Sequence, residues 1–276
     1  MCIRHCHMTN APGEQSNQQA GGNLAMSKTM LLYRNVTALS RDEHKGLRLA
    51  AADGFEFAAH THWLPVAGVE FYQASRSYPI VFASEGQGDD EKITAILLTG
   101  LERDSNDYVS NDMQWKRDTY IPAFIRRYPF VLAGTPDNTR EFTVCFDATF
   151  PGFNNKEGSL LFNEDGSETE LLKNAVQFLN GFNNDLQRTN QFVAELRKLK
   201  LLEKRSADVR SAGGALFQIQ DFLVVNEERF SKLTGSQLSH LHKNGYLGWI
   251  YAHLMSLANL PVLLELHMAK KNQLES

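Results

Sequence analysis

The chain has 276 residues, of which 42% are hydrophobic and 22% charged, a composition typical of ordinary folded domains. Its formal net charge is −4, and acidic and basic residues are mixed along the sequence, so no basic surface for nucleic acid is indicated. In the most apolar region, residues 246–268, polar residues and a proline interrupt the pattern before any run approaches the roughly 18 residues that cross a bilayer. We therefore expect neither a nucleic-acid-binding protein nor a membrane-spanning one.

The first 25 residues differ in composition from the rest of the chain. They are rich in Gln, Asn and Gly and contain no apolar segment typical of a secretory signal. We expect residues 1–25 to be a disordered tail, or an extension upstream of a start at Met26, and residues 26–272 to form a single domain. Three cysteines without regular spacing, together with the missing signal, lead us to expect a reducing, cytoplasmic location.

An eight-residue motif, Arg-x-Tyr-Pro followed by apolar-Val-apolar-Ala, occurs at residues 76–83 and again at residues 126–133. Each copy follows apolar residues at helical spacing and precedes a polar loop and a second apolar run. Pro79 and Pro129 stand where a strand would open, the position at which a missing backbone donor costs least. We predict two helix–strand–loop–strand units that place four strands in one antiparallel or mixed sheet and make residues 26–150 the sheet-rich half.

The second half, residues 151–272, has mainly helical periodicity. Apolar residues recur at helical spacing over residues 171–199, where Gly181 is a candidate division between two helices. Ser167 begins a pattern that resembles a capping box, and residues 205–214 look like a break between elements. The sequence therefore predicts an α+β fold in which the sheet-rich half packs against a mostly helical C-terminal half.

Two sets of histidines raise the question of catalysis. His60 and His62 would lie on one face of an extended segment, and Glu70 follows, so the three could hold a transition metal in an oxygenase-like enzyme. Exposed loop histidines are the alternative. His253 and Ser256 share a helix face, but no nucleophile elbow accompanies them, and we interpret His253 as a core histidine. Because nucleotide-binding motifs are also absent from the sequence, we expect no cofactor, with a transition metal as the alternative.

The two repeated motifs supply candidate ligand-binding residues: Arg76, Tyr78, Arg126, Arg127 and Tyr128. The planar guanidinium group binds carboxylates and phosphates through two parallel hydrogen bonds. Two such corners could line one cleft. The alternative is that each arginine pairs with a local acid and fastens a helix to the sheet.

A polar segment, residues 100–122, separates the two units. It contains Asn106, Asp112, Trp115 and Tyr120, a mixture of amide, acid and aromatic groups that suits a sugar, a peptide or a partner protein. The alternative is an irregular connection whose aromatic residues cover the edge of the core.

Five stretches of the chain, in this order, resemble the bacterial SapC family: LPVAGVEFYQASRSYPIVFA (64–83), YIPAFIRRYPFVLAG (120–134), LLF–EDG (160–166), FQIQDFLVVNEERFSKL (217–233) and GYLGWIYAHLMSL (245–257). The resemblance covers residues 26–272. Members of this family are often encoded near outer-membrane TonB-dependent receptors, cupin-like oxygenases and flavin-dependent halogenases. The resemblance therefore implies an accessory role in nutrient uptake or in modifying an imported molecule, or, from the family's name, a surface-layer role.

The favoured hypothesis is a non-catalytic cytoplasmic protein that binds a peptide, a small molecule or a protein partner through the 100–122 segment and the two Arg-x-Tyr corners. A metal-dependent enzyme using His60, His62 and Glu70 is the first alternative, and a surface-layer component is the second. Apolar residues of the C-terminal helices also predict a homodimer, through Leu247, Ile250, Leu254, Leu257, Leu263 and Leu264.

Overall fold

The computed structural model of the chain describes residues 31–86, 88, 91–135, 138–210 and 216–275. The predicted tail, residues 1–25, lies outside the described residues. The strands are β1 (Val36–Ala38), β2 (Arg48–Leu49), β3 (Trp63–Pro65), β4 (Ile80–Glu85), β5 (Lys92–Leu98), β6 (Phe130–Thr135), β7 (Asn138–Asp147), β8 (Phe153–Asn154), β9 (Ser159–Leu160), β10 (Leu202–Arg210) and β11 (Leu216–Val225). The helices are α1 (Phe71–Ala74), α2 (Ala123–Arg126), α3 (Glu170–Lys198), α4 (Glu227–Ser231), α5 (Gly235–Lys243), α6 (Tyr246–Ser256) and α7 (Asn259–Glu275).

The strands form three antiparallel sheets, with strand orders β10-β11-β4-β5-β3, β1-β7-β6 and β8-β2-β9. The predicted α+β class is confirmed, but the prediction that four strands of the repeated units share one sheet is wrong. The β4–β5 hairpin lies in the five-stranded sheet and the β6–β7 hairpin in another. Strand β4 pairs with β11, where Ala83 faces Phe222, and β7 pairs with β1, where Phe146 faces Thr37. Other strands therefore occupy the edges through which the two hairpins would have joined.

Both predicted helix–strand–loop–strand units are present as α1–β4–β5 and α2–β6–β7. The tyrosine hydroxyl of the motif is hydrogen-bonded in both copies, to another segment in the first copy and within its own hairpin in the second. The Tyr78 hydroxyl donates a hydrogen bond to the Tyr120 carbonyl oxygen at 2.5 Å. The Tyr128 hydroxyl donates to the carboxylate of Asp147 at 3.3 Å. The same tyrosine position therefore makes a different contact in each copy.

Three boundaries in the second half differ from the predicted ones. Helix α3 runs through Gly181 without a break, since the packing of its apolar face stabilises the helix across this residue. Its N-cap is Thr169, which accepts a hydrogen bond from the Leu172 amide, rather than Ser167. Residues 205–210, predicted as part of a break, belong to β10, an edge strand in which the polar side chains of Arg205, Ser206 and Asp208 are exposed. Residues 211–215 lie outside the described residues.

The C-terminal helices place most of the predicted dimer residues inside the chain. Ile250, Leu263 and Leu264 are fully buried, while Leu247, Leu254 and Leu257 are partly buried against the same core. Over the described ranges, no single helix combines the length and apolar composition needed to cross a membrane, although α6 and α7, bent by 46°, meet both criteria as a pair.

A buried histidine fastens α6 to the five-stranded sheet. The Val225 amide donates to Nε2 of His253 at 3.0 Å, so Nδ1 carries the proton and donates to the Ile80 carbonyl oxygen at 2.9 Å. The Ile80 amide in turn donates to the Ser256 hydroxyl at 2.9 Å. Burial lowers the pKa of His253 to about 4. The side chain is therefore neutral in the fold at neutral pH, as expected of a core histidine.

Replacing His253 by leucine should lower the free energy of unfolding by about 2–4 kcal/mol, because Val225 and Ile80 would lose buried hydrogen-bond partners. The difference in free energy of unfolding between the variant and the wild type should become smaller as pH falls from 6.5 towards about 4. In this range His253 of the unfolded wild-type chain binds a proton, whereas the buried His253 of the native state stays neutral, so the wild type loses stability. Urea unfolding across this pH range measures both effects. His242→Leu, at an exposed position, is the matched control. A stability difference between His253→Leu and the wild type that does not change with pH would contradict a buried, neutral His253.

Two glycines should respond in opposite ways to the same substitution. A Cβ at Gly181 of α3 would meet no atom within 4 Å, so Gly181→Ala should raise the free energy of unfolding by about 0.5–1 kcal/mol. A Cβ at Gly68 would overlap the Trp249 ring, so Gly68→Ala should lower it by about 1–3 kcal/mol. Thermal and urea unfolding of the two variants measure the signs, and equal signs would contradict this packing.

Candidate functional site

A cleft of about 510 Å³ separates α3 from the two short helices of the repeated units. We call it the α3 cleft. One wall carries Val69, Glu70 and Gln73 from the first unit and Tyr120, Ala123 and Arg126 from the second. The other wall is one face of α3 and consists of Asn174, Gln177, Phe178, Gly181, Phe182 and Asp185. Both units therefore meet the same helix at this cleft.

Glu70 joins the two units at the base of the cleft. Its Oε1 accepts hydrogen bonds from the Ala123 amide at 2.7 Å and the Tyr120 hydroxyl at 2.9 Å, and its Oε2 accepts from the Ala67 amide at 3.1 Å. Ala67 precedes a 3₁₀ turn, Gly68–Glu70, and Ala123 begins α2, so one carboxylate satisfies amides at the start of two helices. Burial raises the pKa of Glu70, while the hydrogen bonds from Ala123 and Ala67 act to lower it.

Arg126 is the cation at the mouth of the cleft. Its Nε donates to the Ile121 carbonyl oxygen and its Nη2 to the Tyr120 hydroxyl, both at 3.0 Å. The guanidinium group also lies over the rings of Phe178, at 5.2 Å, and Tyr120, at 5.6 Å. None of the residues that the structure describes accepts a hydrogen bond from Nη1. The exposed guanidinium group is therefore held in one orientation with donors left for a ligand.

Asp185 supplies the opposite charge further along α3. Its side chain is half-buried, and burial raises the pKa of its carboxyl group, although the charge of Arg188 acts to lower it. Arg188 is engaged elsewhere, because it donates to the Asn244 carbonyl oxygen at 2.9 Å and lies 4.7 Å from the Trp249 ring centre. Besides Glu70, whose oxygens are bound by the protein at the base, the cleft thus contains Arg126 and Asp185, which do not pair with each other.

The three predicted metal ligands do not form a group. His60 is exposed, with Nδ1 3.1 Å from the Asp104 carbonyl oxygen, and His62 is half-buried with its ring edge-on to Trp63. Both oxygens of Glu70 accept hydrogen bonds from the protein at the α3 cleft. Among the described residues, no three or more His, Cys, Asp or Glu side chains are arranged to hold a metal ion.

The polar segment 100–122 turns two of its predicted binding residues, Asn106 and Trp115, into the core. Asn106 is fully buried and donates to the Ala58 carbonyl oxygen at 3.0 Å. Trp115 is also buried, and its indole nitrogen donates to the Tyr78 hydroxyl at 3.1 Å. Asp112 is exposed and bonds to a neighbouring serine in the same loop. The Asn106, Trp115 and Tyr78 side chains therefore satisfy the protein's own polar groups, whereas Tyr120 is the one predicted residue of this segment that reaches the α3 cleft.

The two Arg-x-Tyr corners do not share a cleft. Arg76 is exposed and does not line the α3 cleft. Arg127 is buried with its guanidinium group 3.9 Å from the centre of the Phe124 ring, and burial lowers its pKa. Tyr128 lines a separate cleft of about 220 Å³, where its ring stacks on Phe57 at 3.9 Å. Arg126 is thus the one predicted arginine that reaches the α3 cleft.

Sequence analysis missed the wall that α3 contributes. Asn174, Gln177, Phe178 and Asp185 recur at helical spacing, but they adjoin the apolar stripe that the prediction used to identify the helix. The signal that could have indicated a second, functional face of α3 is a row of side-chain amides and one acid at helical spacing. This row also contains Gly181 between two phenylalanines.

Glu70→Gln should lower the free energy of unfolding by about 1–2 kcal/mol. The amide group can still accept on its oxygen, but its NH₂ would face one of the amide donors of Ala67 or Ala123. Urea denaturation measures the change, with Glu157→Gln at an exposed position as the control, for which we expect less than about 0.5 kcal/mol. Equal effects in the two variants would contradict the capping role.

Comparison with known proteins identifies a family and no individual relative. The searches of curated proteins and of solved structures each returned no match. A family model described as SapC matches residues 39–263, most of the chain and including every residue of the α3 cleft. The chain therefore belongs to the SapC family.

Proposed function

We propose that this SapC-family protein is a binding protein that takes a peptide or small molecule bearing a carboxylate into the α3 cleft. The observation that carries the proposal is the oriented guanidinium group of Arg126, exposed at the cleft mouth with Nη1 available. A guanidinium group held in place before binding loses less conformational freedom when it engages a carboxylate. Phe178 and Phe182 supply apolar surface beside it.

The cellular setting belongs to the same proposal. An accessory role in uptake, or in modification of an imported molecule, would require a protein that holds the imported compound inside the cell. We propose a cytoplasmic location, which cell fractionation tests.

The homodimer also remains a prediction. Tyr251, Met255 and Val262 are exposed on the C-terminal helices, and light scattering at micromolar concentration measures the mass.

Titration of the ¹⁵N-labelled protein with benzoate tests the binding of a carboxylate. We expect amide shifts at Phe178, Gly181 and their neighbours, because benzoate combines an anion for Arg126 with a ring for the aromatic wall. Benzamide, which has nearly the same shape without the charge, should bind with about tenfold lower affinity, so the same amide shifts should need about tenfold more ligand. NMR titration yields both affinities and maps the site.

Arg126→Gln should weaken benzoate binding by about tenfold or more, as expected for loss of a charge-assisted hydrogen bond. Arg76→Gln is the matched control, since Arg76 is the exposed arginine at the same position of the first motif and lies outside the α3 cleft. Benzoate shifts that persist in Arg126→Gln, or that map to another surface, would overturn the proposed function.

A further inference from the structure

Arg126 and Asp185 are the charged groups of the α3 cleft besides Glu70 at its base, and their separation limits what can bridge them. Arg126 lies over Phe178, and Asp185 follows Phe178 by seven residues on the same helix. At a rise of roughly 1.5 Å per residue, seven residues span about 10 Å along α3. A single amino acid, whose ammonium and carboxylate groups are joined by one carbon, cannot reach both ends.

An extended peptide of about three residues matches this spacing. An extended backbone advances by about 3.3 Å per residue, so three residues cover about 10 Å. Its α-carboxylate would face Arg126 and its α-ammonium group would face Asp185. Because burial raises the pKa of Asp185, this carboxyl group would gain from a cation placed beside it.

The middle of the cleft suits a peptide backbone. Gly181 lies between Phe178 and Asp185 on α3, and a Cβ there would meet nothing within 4 Å, so this part of the wall is open. Gln73 and Gln177 line the same cleft with side-chain amides, which can both donate to and accept from peptide groups.

We infer that the occupant of the α3 cleft is a short free peptide of about three residues, bound extended, with its carboxylate at Arg126 and its ammonium group at Asp185. This inference rests on the proposed function and adds the ligand class to it. Recognition through the two termini and the backbone makes binding largely independent of side chains. It also excludes the C-terminal tail of a longer protein, which has no ammonium group at the required distance.

The experiment uses the ¹⁵N-labelled full-length chain and four probes. Trialanine should shift the amides around Gly181, whereas N-acetyl-trialanine, trialanine amide and dialanine should each bind at least about tenfold more weakly. Each of the two blocked peptides lacks one charge-assisted interaction, worth about a tenfold to hundredfold change in affinity, and dialanine is too short to make both.

Three variants assign the ends and the middle. Asp185→Asn should weaken trialanine binding about tenfold, so that trialanine and N-acetyl-trialanine bind with similar affinity. Arg126→Gln should likewise remove the advantage over trialanine amide. Gly181→Leu should abolish binding, because its side chain would occupy the cleft, while Asn180→Leu, at the adjacent exposed position outside the cleft, should leave binding unchanged.

The outcomes separate this inference from the proposed function. If N-acetyl-trialanine binds as well as trialanine, or if Asp185→Asn has no effect, the free-peptide inference is overturned and a C-terminal tail replaces it. If trialanine causes no shifts while benzoate still binds through Arg126, the peptide inference is overturned and the carboxylate-binding function stands. Loss of both signals would overturn both.

Discussion

The structure of the α3 cleft depends on one buried carboxylate. Glu70 accepts hydrogen bonds from the Ala67 and Ala123 amides and from the Tyr120 hydroxyl, and Tyr120 in turn accepts from Arg126. Helix starts leave amide groups without partners, and burying a carboxylate is unfavourable unless it is hydrogen-bonded. The Glu70 carboxylate gives the helix-start amides their hydrogen-bond partners, and these amides in turn offset the cost of burying the carboxylate. The same contacts that join the two units therefore also fix the direction in which the Arg126 guanidinium group points.

The junction is made at equivalent positions of the two units. Glu70 and Tyr120 lie six residues before Arg76 and Arg126, so they occupy the same position in the two copies, fifty residues apart. Gln73 and Ala123 are related in the same way, and all four line the α3 cleft. The two copies thus meet through equivalent positions that carry different side chains. An acid in one copy and a hydroxyl in the other make a hydrogen bond that two identical side chains could not make equally well.

How far the fold and site could be predicted depends on how local each feature is. The short helices and the hairpins were predictable because turn residues and periodicity act within each unit. The sheet that each hairpin joins was not, since β4 takes its partner from β11, over a hundred residues away. Arg126 was predicted from its chemistry, whereas Asp185 was missed because a polar residue beside an apolar helical stripe is usually solvated. Asn106 and Trp115 were misjudged for a related reason, since composition does not reveal that a polar loop turns inward to satisfy buried backbone groups.

Adjacent arginines in the second motif illustrate how one residue type serves the fold and the candidate site at once. Consecutive residues on a helix point about 100° apart, so Arg126 and Arg127 at the end of α2 face different surroundings. Arg127 lies buried against Phe124 and within 5.7 Å of the Phe182 ring centre, and Phe182 itself lines the cleft. Arg126 remains exposed over Phe178, one turn earlier on α3. The buried arginine thus supports the aromatic wall from behind, and the exposed one retains the free donors on which carboxylate recognition would depend.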